Sequence, residues 1–406
     1  MSRKITCLFM LFGFIFFVAL FSFRSIEAHG KSSYKTQEEV EVISNPKTPL
    51  PQKGMRKKLV FKEELTIGEI EGDENYMFGE LVLFSADEEG NIYVTDWDKK
   101  RIQKYNSDGK FLLTIGRKGQ GPGEFGNLSP ARFDKDNNIY VTDIVNQRIS
   151  FFDKEGNYLK QIKLPDVFED LYVNSRGYFV SSSSQRLDDE TSFGWKMVFG
   201  LFDDQFNLVS EFYSEEHRTK PPTGRDLASR AKFLARILSS IAFQPRARHI
   251  LADDDFIYFG YPDKYEIDVY SPEGIKVRTI QRKFDPIKLT EKDKEYFVQN
   301  IGERFMRGNP EDMRKETIRF IEYPKYKPAY HSFTLMDNGW LVVVVEFVEN
   351  EYTLFDLFDK NGRYIGHFKA EVPAQWLFFK NGKAYTVATE DGYKFVKRYN
   401  VGIQDY

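Results

Sequence analysis

The chain has 406 residues, of which 41% are hydrophobic, and a formal net charge of −3. This length and apolar content allow a large buried core. The slightly acidic balance argues against general binding to nucleic acid. The 38 Phe and 23 Tyr residues favour many half-buried strands stacked on one another.

The first 28 residues have the pattern of an export signal. Arg3 and Lys4 precede a nearly continuous apolar run, Ile5–Phe23, and Ile26–Ala28 resembles a cleavage site. Cleavage after Ala28 would remove Cys7, the single cysteine. An uncleaved membrane anchor is the alternative, because the apolar run is long enough for one. We expect no lipid anchor and no other membrane contact.

Residues 29–56 are polar, contain three prolines and show no apolar period. This composition predicts a disordered tether between the signal and a folded domain over residues 57–406. Lys58–Ile67 then reads as a lone strand. Because a lone strand is unstable, we expect it to be the outermost strand of the last structural unit, joining the two ends of the chain.

One pattern occurs twice between residues 79 and 164. Gly90–Asp96 and Asn137–Asp143 share the letters Asn-Ile-Tyr-Val-Thr-Asp, and each is followed by Arg-Ile and then an acidic-Gly turn, 47 residues apart. Such a period, filled with short strands, is typical of a β-propeller blade. Weaker copies with similar turns follow. They predict an all-β, six-bladed propeller with blades at 81–115, 129–163, 168–213, 249–281, 331–368 and 374–401, the last completed by 58–67.

The two clear copies resemble the NHL repeat, in which a Gly-Asn-Ile-Tyr-Val-x-Asp strand precedes Arg-Ile and an Asp-Gly turn. The linker Gly116–Phe125, Gly-Arg-Lys-Gly-Gln-Gly-Pro-Gly-Glu-Phe, is similar to a signature of exported bacterial six-bladed propellers. The resemblance implies the fold and export. It implies little about biochemical function.

Each clear copy places an aspartate five residues before an arginine, as Asp96–Arg101 and Asp143–Arg148. Two such residues can meet across a tight hairpin. We predict an ion pair that stabilises the blade and recurs in register, in preference to a ligand site.

The long segments between predicted strands all connect on one face of the disc. They are 69–80, 116–127, 185–194, 214–247 and 282–330. Long loops on a rigid scaffold often carry binding and catalysis, so we assign function to this face, called below the insertion face. Apolar spacing in 223–243, a capping-box-like start at Thr290–Asp293 and the start Asn309–Asp312 predict helices. These helices either only pack on the disc or form a cap that narrows the central funnel.

The first insertion is basic: residues 223–249 contain six arginines and lysines but one acid, Asp226. Five residues lie at or near predicted innermost strands, which line the funnel. We predict that they bind an anionic ligand, because arginine matches a carboxylate or sulfate with two hydrogen bonds. They are Arg132, Arg246, Arg248, His249 and His331. The alternative is a solvated basic helix with unconnected arginines.

No cofactor or metal is predicted. Only His249 and His331 could reach the funnel, and two histidines without a third are more often structural than zinc ligands. The glycine-rich stretch 116–126 lacks the lysine and hydroxyl residue of a phosphate-binding loop, and no nucleophile elbow occurs.

Three interpretations remain open. The first is an exported, monomeric, non-enzymatic propeller that binds an anionic small molecule or a protein partner at the insertion face. The second is a lyase or hydrolase acting on an anionic small molecule or sugar acid at the funnel. The third is a structural role in envelope assembly.

Overall fold

The computed structural model describes residues 40–187, 193–219, 224, 226–348, 352–373 and 376–406. The predicted signal (1–28), residues 29–39 of the predicted tether and the centre of the 185–194 loop lie outside these residues. Among the described residues, no helix has the length and apolarity needed to cross a membrane.

The described chain is mostly β-strand. Two leading strands are β1 (Glu41–Asn45) and β2 (Lys57–Ile67). The next three blades, with a short pair between the first two, are formed by β3 (Val82–Ala86), β4 (Ile92–Asp96), β5 (Arg101–Tyr105), β6 (Phe111–Ile115), β7 (Arg117–Lys118), β8 (Glu124–Phe125), β9 (Arg132–Phe133), β10 (Ile139–Asp143), β11 (Arg148–Phe152), β12 (Tyr158–Lys163), β13 (Val167–Val173), β14 (Phe179–Arg186), β15 (Phe193–Phe202) and β16 (Leu208–Thr219).

The second half continues with helices between blades. Its elements are α1 (Leu227–Ser239), β17 (Arg248–Leu251), β18 (Ile257–Gly260), β19 (Glu266–Tyr270), β20 (Lys276–Arg282), α2 (Glu291–Phe297), a π-helical turn (Val298–Gly302), α3 (Glu303–Met306), α4 (Glu311–Arg319), β21 (Ser332–Leu335), β22 (Leu341–Val348), β23 (Tyr352–Phe358), β24 (Tyr364–Ala370), β25 (Phe378–Lys380), β26 (Lys383–Glu390) and β27 (Tyr393–Asp405).

These strands form six antiparallel meanders, which are the blades of a propeller. Within each blade the first strand is innermost and the last is outermost. The predicted all-β fold with six blades is confirmed, and the blade boundaries differ from the prediction by a few residues. The largest difference is in blade three, where β16 continues to Thr219, so the insertion that follows begins later than residue 214.

The repeated Ile-Tyr-Val-Thr-Asp segment explains why the blades stack. All five residues of β4 and all five of β10 are buried. A strand with both faces covered reads as a continuous apolar run rather than an alternating one. Side chains of successive blades interdigitate here, so that Tyr93 of blade one packs in the same cluster as Ile139 and Phe152 of blade two.

Tight turns close the hairpins on the face opposite the insertions. In the turn between β9 and β10, the Asp134 carboxylate accepts hydrogen bonds from the backbone N–H groups of Asp136 (3.0 Å) and Asn138 (2.8 Å), while Asn137 takes a positive φ of 58°. This local bonding by Asp or Asn favours a turn over continued strand. The turn that begins at Asp87 repeats it, with Gly90 at φ 81°.

The paired aspartate and arginine of blade one meet, as predicted. The Nε of Arg101 lies 3.7 Å from Oδ2 of Asp96, whose side chain is fully buried. Burial, opposed in part by a backbone hydrogen bond and by Arg101, raises the pKa of Asp96. Arg101 also donates to the backbone oxygen of Glu74 at 2.7 Å.

The corresponding pair in blade two does not form, and that part of the prediction is wrong. The guanidinium of Arg148 instead donates to three backbone oxygens of the glycine-rich linker at 2.6–3.0 Å, those of Gln120, Gly121 and Glu124. The carboxylate of Asp143 accepts from the N–H groups of Gly126 (2.7 Å) and Asn127 (2.8 Å). The two residues therefore hold the same linker separately, one by its carbonyl groups and the other by its amides.

Two leading strands run along the outer rim of the disc. β2 pairs antiparallel with β27 and is the outermost strand of blade six, so the ring is closed by strands from both ends of the chain. β1 pairs parallel with β20 and adds a fifth strand to blade four. The prediction of a disordered tether over 29–56 is therefore wrong for residues 41–45.

Asn45 fixes this rim segment to two blades. Its side chain, in a residue that is 3% exposed, donates to the backbone oxygens of Gln281 (3.0 Å) and Gly362 (2.9 Å) and accepts from the N–H of Tyr364 (2.9 Å). The prolines and polar residues of this segment indicate disorder when they are considered alone. The segment is ordered because its stabilising contacts come from residues distant in sequence.

The helices of the two large insertions pack on one another over the insertion face. Ala235, Leu238 and Ala242 from the first insertion share an apolar cluster with Phe297 and Met306 from the second. We call this unit the helical cap. Thr290 and Asp293 form the predicted capping box at the start of α2.

The sequence places Asn309 as the cap of α4 and Pro310 as its first helical residue, and this is wrong by one position. Pro310 is the residue that precedes the first helical turn, and it makes no side-chain capping bond. The Asn309 side chain turns back instead and donates to the backbone oxygen of Met306 at 3.2 Å.

At the opposite face, a lysine lies across the end of the central channel. Lys380, in the inner turn of blade six, pairs with Glu88 of blade one (2.6 Å) and approaches Asp253 of blade four (3.5 Å). One ammonium group thus connects three blades at this end.

Candidate functional site

The innermost strands of four successive blades carry ionisable residues toward the insertion face. Arg132 begins β9, Asp170 lies within β13, Arg248 begins β17, and His331 immediately precedes β21. All four positions follow connections on the insertion face, so they surround the same mouth of the channel. We call this set, with Arg246 and Glu169, the funnel cluster.

Asp170 is the centre of one half of the cluster. It forms an ion pair with Arg132, whose guanidinium lies 3.5 Å from the ring centre of Tyr172. The backbone of Asp170 has a φ of 49°, and the pairing register of β13 with β14 shifts between Glu169 and Tyr172. A bulge with a strained non-glycine residue commonly redirects a side chain at a functional site. Here it directs the Asp170 carboxylate to Arg132.

His249 supports Asp170 and does not line the channel. Its residue is 4% exposed, and its Nε2 donates to the backbone oxygen of Asp170 at 2.8 Å. Its ring meets Tyr172 edge-on at a centroid distance of 5.7 Å. Burial comes first among the causes that lower the pKa of His249, so the imidazole is neutral. We therefore treat His249 as a positioning residue and remove it from the expected ligand contacts.

Arg246 and Arg248 form the other half. Among the described residues, neither side chain has a hydrogen bond or an ion pair, although the backbone of Arg248 lies in strand β17, opposite Gly260. Burial lowers the pKa of both, and for Arg246 the second cause is the charge of Arg248. Enclosure, and then the charges of Arg248 and Arg246, lower the pKa of His331. The His331 side chain itself stays exposed to solvent.

The two halves are joined electrostatically. The charge of Asp170 partly opposes the lowering of the Arg248 pKa by burial, and it also acts on Arg132, so its carboxylate lies within electrostatic range of both arginines. The sequence-predicted residues are thus brought into one region, with three arginines facing one carboxylate that is already paired. The excess positive charge can hold an anion.

Glu169 is a group that the sequence analysis did not single out. Burial, followed by the neighbouring charge of Asp170, raises the pKa of its carboxyl from 4.5 to about 7. A carboxyl that titrates near neutrality can accept or donate a proton at physiological pH. The available signal was the pair Glu169-Asp170 inside the otherwise apolar stretch that forms β13, Val167–Val173.

The described residues contain no group of three or more His, Cys, Asp and Glu side chains suited to a metal ion. His367, outside the funnel, lies against the buried carboxylate of Asp356 at 2.7 Å. The chemistry offered by the funnel cluster is therefore that of arginine, a neutral imidazole and a carboxyl with a raised pKa.

The fold defines the class of protein: the chain is a six-bladed β-propeller. The model of the DUF5128 family, described as a 6-bladed beta-propeller, matches residues 71–255, slightly less than half of the chain. No curated protein matches.

One solved structure supports the fold, and two others are more distant. A protein of Bacteroides fragilis NCTC 9343 described as exported shares 13% identity, with 90% of this chain and 99% of that chain covered and a TM-score of 0.52. A member of the DUF4221 family from Bacteroides vulgatus shares 11% identity over 87% of this chain and 100% of that chain, with a TM-score of 0.43. Virginiamycin B lyase from Staphylococcus aureus shares 12% identity over 85% of this chain and 99% of that chain, with a TM-score of 0.41. At these identities the likeness is one of fold alone.

Proposed function

We propose that this propeller is an exported binding protein that holds a carboxylate-bearing small molecule at the insertion-face mouth of its channel. The observation that carries the proposal is the pair Arg246 and Arg248, which are held near one another although neither side chain forms an ion pair or hydrogen bond with an acid among the described residues. Two like charges kept together without a counter-ion are stabilised when an anion lies between them.

The neighbouring groups fit this role. The charge of Arg132 is already neutralised by its ion pair with Asp170. Arg132 therefore lines the mouth of the channel but adds no unpaired positive charge for a ligand. His331 is neutral at pH 7 because its pKa is lowered. An anion bound beside it would raise that pKa, so binding should be coupled to proton uptake and should strengthen as the pH falls.

The test is calorimetric titration of the purified domain with citrate, glucuronate and sulfate. We expect at least one carboxylate to bind and the double substitution Arg246→Ala/Arg248→Ala to weaken it by about tenfold or more, since a hydrogen bond to a charged group contributes about 1.5–3 kcal/mol. The matched control is Arg230→Ala/Arg236→Ala, which removes the same charge from exposed positions of the helical cap.

Two results would contradict the proposal. The first is the absence of binding by all three anions. The second is equal weakening by the control pair, which would mean that net charge and not the funnel cluster attracts the anion. NMR of the His331 imidazole provides a direct readout, because its resonances should move on anion addition in the parent protein only.

A second candidate function is a lyase or hydrolase acting on such an anion. The observation that favours it is the raised pKa of Glu169, which suits general acid–base catalysis. If the protein turns over an anionic ligand, Glu169→Gln should abolish turnover and leave binding within about threefold. Unchanged turnover would remove Glu169 from this role.

We also infer that the first two blades are of the NHL type and that export uses residues 1–28. The inference is supported by the repeated Asn-Ile-Tyr-Val-Thr-Asp pattern and by the charged and apolar order of the N-terminus. Sequencing of the mature protein tests export: a chain that retains Cys7 would contradict cleavage after Ala28.

A further inference from the structure

A second concavity lies away from the channel, between blades five and six. It encloses about 630 Å³ and opens toward the insertion face. We call it the seam cleft. It is lined by the end of β22, the start of β23, the connection after β24, and parts of β2, β26 and β27. The funnel cluster contributes no residue to it.

The floor of the seam cleft is apolar and largely aromatic. Phe61, Phe347, Tyr352 and Tyr399 line it together with short aliphatic side chains. Phe61 meets Tyr399 edge-on with ring centroids 6.3 Å apart. Such a surface favours a ligand with an apolar or aromatic body.

Tyr399 also supplies an unused polar atom. The residue is 6% exposed and lines the cleft, yet among the described residues its hydroxyl has no hydrogen-bond partner. Burial, followed by the charge of Glu63, raises the pKa of Tyr399 to about 12, so the hydroxyl stays protonated. The hydroxyl is not among the fully buried polar atoms, so solvent reaches it through the cleft and a ligand that displaces this solvent can take its place as the hydrogen-bond partner.

The rim of the cleft is acidic. It carries Glu63, Glu371 and Glu390 against one cation, Lys397. The Lys397 ammonium lies 3.1 Å from Glu63 and 2.6 Å from Glu390, so one positive charge is shared by two carboxylates. Glu371 has no hydrogen bond or ion pair with the described residues. The lining thus has an excess of two negative charges.

We propose that the seam cleft binds a primary ammonium ion carried on an apolar or aromatic body. The ammonium would donate to Glu371, to the free oxygen of Glu390 and to the Tyr399 hydroxyl, while the body covers Phe61 and Phe347. The same chain shows this contact nearby: the Lys369 ammonium lies 3.4 Å from the ring centre of Tyr352. Cation–ring contacts strengthen as the cation is removed from water.

The seam cleft and the funnel cluster select opposite charges, so their tests are independent. An anion attracted by Arg246 and Arg248 is repelled by the acidic rim. A cation that enters the cleft gains nothing from the funnel.

The experiment titrates the domain with 2-phenylethylammonium and, separately, with 2-phenylethanol, its neutral counterpart of similar shape. We expect the cation to bind and the alcohol to bind at least about fivefold more weakly, because the alcohol keeps the ring contacts but lacks the charge. The funnel variant Arg246→Ala/Arg248→Ala should bind the cation as the parent protein does.

Two variants test the site in opposite directions. Glu371→Gln/Glu390→Gln should weaken cation binding about tenfold, whereas Glu155→Gln, an exposed glutamate of blade two, should not change it. Lys397→Met removes the competing ammonium and should tighten cation binding. A merely structural role for Lys397 predicts the reverse, because losing it would disorder both partner glutamates.

The proposal is overturned if the alcohol binds as tightly as the cation, since the cleft would then be an apolar pocket only. It is also overturned if Glu371→Gln/Glu390→Gln leaves the cation affinity unchanged while the variant unfolds at the same temperature as the parent. Loss of binding on Lys397→Met would contradict the charge argument.

Discussion

At the scale of single residues, Glu169 and Asp170 differ most from their usual behaviour. They are adjacent on an inner strand, but a backbone bulge separates their environments. Asp170 has an arginine partner, while Glu169 has burial and a neighbouring negative charge. Two carboxyl groups in different environments can have very different pKa values. This arrangement is common where proton transfer or charge recognition occurs.

The raised pKa of Glu169 predicts a pH dependence of stability. In the unfolded chain the carboxyl ionises near 4.5 and in the folded chain near 7. The folded state therefore holds the proton more tightly, and stability falls as the pH rises between these values. Glu169→Gln should be more stable than the parent by about 1–3 kcal/mol at pH 8, with the difference largely gone at pH 4.5.

Urea unfolding at pH 4.5 and pH 8 measures this difference. Glu155→Gln serves as the control because its side chain is exposed on the opposite face. If Glu169→Gln has the same effect at both pH values, the carboxyl is ionised at its ordinary pKa in the folded protein.

The sequence was enough to place the funnel arginines near the axis, but it did not indicate which of them has a counter-ion. The positions of Arg132, Arg248 and His331 followed from strand order, because the first strand of each blade lies at the axis. Which of them has a counter-ion depends on Asp170, and its direction depends on a bulge in β13. A register shift of this kind arises from packing between blades and leaves no regular mark in the sequence.

At the scale of elements, strand β1 is the clearest departure from expectation. Its five residues have no apolar alternation, and it was therefore assigned to a tether. The strand forms because β20 offers a free edge and because Asn45 satisfies backbone groups of two blades. Neither cause can be seen within residues 41–45 alone.

Asn45→Ala should therefore destabilise the rim by about 2–4 kcal/mol, since it leaves the N–H of Tyr364 and two carbonyl groups without partners. Ser44→Ala is the matched control. The Ser44 hydroxyl makes only one exposed contact, 3.5 Å from the Gln281 side chain. Hydrogen exchange at the Tyr364 amide should rise in the first variant and stay unchanged in the second; equal effects would exclude this role for Asn45.

For the repeated Asp–Arg motif, the predicted role was correct but the predicted contact was only partly correct. Its recurrence in two blades correctly indicated a structural role, but the partners were not determined by spacing. In blade two the glycine-rich linker comes close enough for Arg148 to bind its carbonyl groups. An ion pair between Asp143 and Arg148 was expected, but each side chain binds backbone groups of the linker instead.

At the scale of the whole molecule, the number of blades was predictable because two clear copies set the pattern and their turn signals recur, at irregular spacing, along the rest of the chain. Ring closure by the leading strand was expected on the same grounds, since an open ring exposes unpaired strand edges. Leu59 of β2 packs in one cluster with Val342 of blade five and Tyr399 of blade six. The closing strand thus contributes to the core on both sides of the junction.

Leu59→Ala should lower the stability of the whole ring by about 2–4 kcal/mol, because it leaves a cavity where the ring closes. Val60→Ala should have an effect of about 0.5 kcal/mol, since Val60 is 43% exposed on the neighbouring position of the same strand. Thermal unfolding followed by circular dichroism measures both. A separate early transition confined to blade six would show that closure does not couple the blades.

The parallel pairing of β1 with the rim also determines how the disc responds to a pulling force. Any load applied through residues 1–39 enters at Glu41 and runs along the axis of β1. The contacts between Glu41–Asn45 and Arg278–Arg282 are then strained together, in shear, and not opened one after another. An envelope-tethered disc would thus resist detachment at its edge while the channel, on a different axis, stays unloaded.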